Sequence, residues 1–139
     1  LMRRIKANQR EGRRLLVGVS YNGDTLPTPN VVRESDFILI HGNGVEEPER
    51  ITEMVDLVRA MDDYRPMPFV FNEDDHYDFD QDLNNMTAAV ASYASWGFFD
   101  FRRDGEGFDE GYQSVPVNWE ISSARKRGFF EKVKEITGY

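Results

Sequence analysis

The densest set of side chains able to do chemistry lies between Met67 and His76, a stretch reading MPFVFNEDDH. Three adjacent acids, Glu73, Asp74 and Asp75, stand between an amide, Asn72, and an imidazole, His76. Carboxyl groups in such a setting serve as nucleophiles, as general acids or bases, or, together with histidine, as ligands of a divalent cation. The preceding Pro68, Phe69, Val70 and Phe71 run without polar interruption. That pattern fits a strand buried on both faces, the kind found in parallel sheets flanked by helices. In parallel α/β architectures ligands meet the loops at the carboxyl ends of strands, where polar side chains emerge from the apolar layer. Glu73 and Asn72 stand at such an end. His41 and Asn43 stand at another, after the apolar run Phe37 to Ile40.

The elements that must position these residues repeat as strand then helix. Strands are expected near residues 15–21, 37–41, 68–72 and 97–101, each an apolar run ending in polar residues or glycine. Met2 to Arg10 reads as the tail of a helix with Gly12 as its stop, and Asn30 to Ser35 as a turn or two of helix with Val31 and Val32 inward. The clearest helix opens at Pro48 and carries Ile51, Met54 or Val55, Val58 and Met61 at helical spacing. Another is expected from about Asp82 to Ser95, with Asp78, Asp80 and Asp82 toward an acidic first turn and Gly97 as terminator. The last has Ser122 or Ser123 as N-cap, Phe129, Val133 and Ile136 inward, and Gly138 as its stop. Between the fourth strand and that helix runs a long glycine-rich loop holding Tyr112 and Trp119, which reads as a binding loop.

The 139 residues fit one domain. Six of the 17 basic residues fall within the first 14 positions, so the rest of the chain is strongly acidic and the net charge is −8. Nucleic acid and anionic membrane are therefore not expected partners. No apolar run reaches the roughly 18 residues of a membrane span, and the absence of cysteine excludes disulfides and thiolate sites. GNG at Gly42 to Gly44 and GEG at Gly105 to Gly107 lack the third glycine and the strand-turn-helix setting of a nucleotide fingerprint. The Asp78, Asp80, Asp82 spacing of a calcium loop fails because Leu83 replaces its glycine and Ala89 its bidentate glutamate. No cofactor or metal is implied.

Four strand-helix units with right-handed crossovers give a four-stranded parallel sheet, either doubly wound or half of an eight-stranded barrel. The start at Leu1 rather than methionine favours a fragment. SDFILIHGN, RPMPFVFNEDD and SWGFFDFR, with LLVGVSYNG before them, resemble in order the last four strands of the clan A glycoside hydrolases. These are retaining (β/α)8 barrels that cleave sugars with two glutamates. The resemblance implies the carboxyl-terminal half of such a TIM barrel, with Glu73 as nucleophile and His41, Asn43, Asn72, Tyr21, Trp96, Arg102 and Trp119 as carbohydrate contacts. Asn before Glu is also the pattern of the acid/base on the clan's fourth strand, so Glu73 is open to either role. A retaining mechanism needs two carboxyl groups about 5–5.5 Å apart, and the second is expected in a missing amino-terminal half. The chain alone should then be inactive and should self-associate.

Two other classes stay in view. A metal-dependent barrel hydrolase or isomerase would use His41, Glu73, Asp75 and His76 on a divalent cation, and a non-catalytic carbohydrate-binding module would use the same loops without turnover. The bland readings are a helix cap or an Arg102 ion pair for Glu73, a hydrogen-bonded strand-end residue for His41, and core packing for Trp96. On the catalytic reading, Asp74→Asn should be far milder than a change at Glu73.

Overall fold

The computed structural model describes residues 1–107, 121 and 123–139. A short helix α1 (Met2–Lys6) and a two-rung antiparallel hairpin, β1 (Gln9–Arg10) and β2 (Arg13–Arg14), precede the main body. The body alternates α2 (Pro29–Glu34), β3 (Ile38–His41), α3 (Pro48–Arg59), β4 (Phe69–Asp74), α4 (Asn85–Ala91) and β5 (Ser95–Phe98), and α5 (Ala124–Thr137) follows. The chain is thus α/β, built on a three-stranded parallel sheet in the order β3-β4-β5.

The core forms on one face of this sheet. Ile38, Ile40, Phe69 and Phe71 alternate inward and meet Val32 of α2, Ile51, Met54, Val55 and Val58 of α3, and Ala88 and Ala89 of α4, all buried. Pro48 at the first helical position of α3 fixes the backbone where no intrahelical N–H is needed. On the same side Phe129 of α5 joins Phe79, Trp96 and Phe98 in an aromatic cluster with centroids 5.2–6.2 Å apart. The opposite face carries Leu39 and Val70, paired in register and only half-buried. The expectation that these strands are buried on both faces is therefore corrected, because the helices pack on one side.

Several boundaries move for identifiable reasons. Residues 15–21 are not a ladder strand. Val17 accepts from Asp36 N at 2.8 Å and Gly23 bridges His41 in parallel, so the segment follows the β3 edge. However, Val17 N donates to the Asp36 carboxylate (3.0 Å) instead of to a strand, and Leu15, Leu16 and Val19 are exposed. Gly12 is the positive-φ turn of the hairpin (φ 75°), not the stop of α1. The expected helix from Asp82 starts at Asn85, because Asn84 and Thr87 form a reciprocal capping box, and no acid lies in its first turn. It ends at Ala91, leaving Gly97 inside β5, which begins at Ser95 where residues 97–101 were expected. In α5, Ser123 is the N-cap and Gly138 the left-handed stop as read, but Ile136 is exposed.

Candidate functional site

Glu73 stands near the carboxyl end of the middle strand, paired in register with His41 on β3. The ladder between β3 and β4 shifts at Ile40/His41, and that between β4 and β5 shifts between Phe71 and Asp74. These irregularities break the simple alternation, so that Asn72 is exposed, Glu73 half-buried and Asp74 fully buried. Gly42 N still bonds Glu73 O (2.8 Å) and Phe99 N bonds Asp74 O (2.7 Å), which ties the strand end to both neighbours.

Two polar clusters result. In the first, His41 Nε2 lies 2.6 Å from Ser20 Oγ, 3.2 Å from Asn72 Nδ2 and 3.6 Å from Glu73 Oε2. Ser20 donates to Asn72 Oδ1 at 3.2 Å. With that proton assigned, Nε2–H is the donor to Ser20 Oγ and points the imidazole's positive edge toward Glu73. Because Ser20 and Glu73 both meet Nε2, and among the described residues no carboxylate meets Nδ1, this is not the relay of a serine hydrolase. It is a donor and acceptor set around a half-exposed carboxylate. Such a set suits hydroxyl-rich ligands or attack at an electrophilic carbon.

The second cluster centres on Asp74. Oδ2 accepts from Trp96 Nε1 (2.9 Å) and Asn85 Nδ2 (3.0 Å), and Oδ1 accepts from His76 N (3.1 Å) and His76 Nδ1 (2.5 Å). Gly42 makes room for this carboxylate, since a Cβ there would lie 1.9 Å from Oδ2. The Asp74 hydrogen bond holds the His76 imidazole above its ordinary pKa despite partial burial, with Asp75 and Asp78 adding to the effect. Asp75 accepts from Asn43 Nδ2 (3.0 Å), and Arg103 donates to its backbone oxygen (3.0 Å) while its guanidinium lies over Tyr77. Beyond β5, Arg125 of α5 clamps Asp100 and Glu106 together, and that pairing holds Glu106 down at about 2.

The sequence-derived candidates therefore separate. His41, Asn72 and Glu73 converge, joined by Ser20, which residue types alone did not single out. A serine directly before Tyr21, after an apolar run, gave no distinguishing signal. Asn43 braces Asp75, while Tyr21 holds Thr28 through its hydroxyl (3.1 Å). Trp96 packs in the aromatic cluster with its N–H on Asp74. Arg102 is exposed beyond β5, and Trp119 and Tyr112 lie outside the described residues. The set His41, Glu73, Asp75 and His76 divides between the two clusters. The described acids and histidines whose ligand atoms come within 4.8 Å of one another are Asp74, Asp75 and His76. Asp74 within it already receives four donors, so the arrangement is a hydrogen-bonded hub and not an open ligand set. No family model, no curated protein and no solved structure matches this chain.

Proposed function

We propose that the chain is part of a (β/α)8 barrel of the glycoside hydrolase type and that Glu73 is the carboxylate that attacks the anomeric carbon in the whole protein. The observation that carries this reading is the placement of Glu73 at the carboxyl end of the central parallel strand, with His41 at 3.6 Å and Asn72 and Ser20 beside it. The single-sided packing adds support. A doubly wound sheet needs helices on both faces, whereas a barrel covers its outer face with helices and leaves residues such as Leu39 and Val70 to an inner layer.

In the reaction so proposed, Glu73 forms a bond to the anomeric carbon as the glycosidic oxygen leaves with a proton from a second carboxyl group. That second group belongs to another part of the barrel on this reading. His41, with its Nε2–H on Ser20 Oγ, keeps the positive edge of its ring beside the Glu73 carboxylate and holds it in place. In the full-length protein containing this chain, Glu73→Gln keeps the shape but removes the nucleophile. Turnover of β-linked oligosaccharides should fall by roughly three powers of ten or more, with sugar affinity and melting temperature little changed. Equal turnover in the variant defeats the proposal.

A further inference from the structure

The Asp74 and His76 pair has the form of a positioned proton-handling dyad, and nothing in the proposed attack by Glu73 uses it. The short contact between His76 Nδ1 and Asp74 Oδ1, 2.5 Å, must contain a proton, and three other donors already make that carboxylate an acceptor on both oxygens. Nδ1 therefore carries the hydrogen. Asn85 Nδ2, 3.1 Å from Nδ1, then acts through its bond to Asp74 and not as a donor to the ring. The tautomer leaves Nε2 as the outward nitrogen of a side chain that is 29% exposed, and no described residue bonds it. The loop bearing His76 crosses the carboxyl end of the sheet. Asp75 reaches Asn43 after β3 on one side, and Arg103 after β5 bonds Asp75 O on the other. His76 thus stands at the same end of the sheet as Glu73.

We infer that Asp74 is a positioning residue that fixes the His76 tautomer, and that His76 Nε2 meets a hydroxyl of the carbohydrate held beside Glu73. The inference rests on the carbohydrate reading of that site. The groups around the ring are Asp74 on β4, Asp75 and Asp78 on the following loop, Asn85 on α4, and Arg103 beyond β5, which touches Asp75. Three carboxylates around one imidazole favour its charged form, in which Nε2 donates, while in the neutral tautomer fixed by Asp74 it accepts. Neutral sugars are the ligand class that such an acid-rich frame accepts, because a uronate would meet Asp75 and Asp78.

The test combines two measurements on the full-length protein containing this chain. Long-range proton–nitrogen NMR of His76 at alkaline pH should show a protonated Nδ1 and a bare Nε2; the reverse tautomer overturns the assignment without reference to any ligand. Titration with cellopentaose, xylopentaose and laminaripentaose should shift the Nε2 resonance for at least one of them. His76→Ala should weaken that sugar about tenfold, and His76→Gln, which restores a side-chain N–H, should recover part of the loss. Binding that is unchanged in both variants overturns the inference and leaves the carbohydrate reading standing. Binding to none of the three sugars by the unmodified full-length protein containing this chain removes both.

Discussion

Replacing Asp74 with asparagine tests the physical account of the strand end most sharply. The carboxylate is fully buried and receives four donors, two on each oxygen. An amide has one acceptor oxygen, so either orientation turns an NH2 group toward two N–H donors. If its oxygen faces Trp96 and Asn85, His76 is stranded, and the reverse orientation strands the indole and Asn85. Two hydrogen bonds to a charged acceptor are worth about 1.5–3 kcal/mol each, and unmatched buried donors add a penalty of their own. A net loss of about 3–5 kcal/mol is expected, within the range seen when one partner leaves a buried charged pair. Against the roughly 5–15 kcal/mol stability of ordinary domains this is large, and the melting temperature should drop by on the order of 10 °C. Urea unfolding of the unmodified chain, Asp74→Asn and Glu73→Gln gives the comparison. Glu73→Gln, on a half-exposed side chain, should lie within about 0.5 kcal/mol of the parent. A stability for Asp74→Asn within 1 kcal/mol of the parent would refute the reasoning. Asp74→Asn is thus expected to be the more severe change for stability, whereas the expectation that it is the milder one concerns turnover.

Three further outcomes follow from the same geometry. Gly42→Ala places a Cβ 1.9 Å from Asp74 Oδ2 and should destabilise by about 1–3 kcal/mol. In calorimetry, Gly42→Ala combined with Asp74→Ala should cost less than the sum of the single changes, and strict additivity would count against the contact. Asp36 accepts from both guanidinium nitrogens of Arg14 (2.8 and 2.9 Å) and from Val17 N (3.0 Å), and meets Lys6 at 3.2 Å. Led by the Arg14 hydrogen bonds, these hold its carboxyl well below the ordinary 3.8. A depressed folded pKa stabilises above the unfolded value and the gain disappears as pH falls through the folded one. Asp36→Asn should therefore cost about 1–3 kcal/mol at pH 7, and the gap should narrow only below about pH 4; a gap independent of pH in acid titration of stability contradicts the assignment. The exposed Leu15 and Leu16 beside incompletely paired backbone should promote self-association, which sedimentation of a Leu15→Lys, Leu16→Lys variant should show as reduced.

The sequence carried the helices and strands where periodicity was strong. Pro48 with Ile51, Val55 and Val58 marked α3, and the uninterrupted apolar runs marked β3 and β4. It failed where a side chain competes with the backbone. Leu15 to Val19 has the composition of a strand, yet Asp36, distant in sequence, captures the Val17 N–H. Asn84 and Thr87 override the acidic run before them and set the start of α4. At the site, three successive acids look equivalent as letters. Only the irregular register at the end of β4 decides that Asp74 is buried and Glu73 faces His41. The family resemblance implied Trp96 as a carbohydrate contact, but its ring packs against Phe129 of α5 and its N–H is held by Asp74.

The central claim, that Glu73 attacks a sugar, is tested most directly by covalent trapping. A 2,4-dinitrophenyl 2-deoxy-2-fluoro-β-glycoside loses dinitrophenolate without needing a proton, so labelling reports the nucleophile and not its acid partner. The C1–O bond to the leaving group breaks and a C1–O bond to the carboxylate forms. With gluco, xylo, manno and galacto versions offered to the full-length protein containing this chain, the account predicts one added glycosyl mass on the peptide bearing Glu73, absent from Glu73→Gln. A protein mass unchanged by all four reagents, or a label on any other residue, contradicts it.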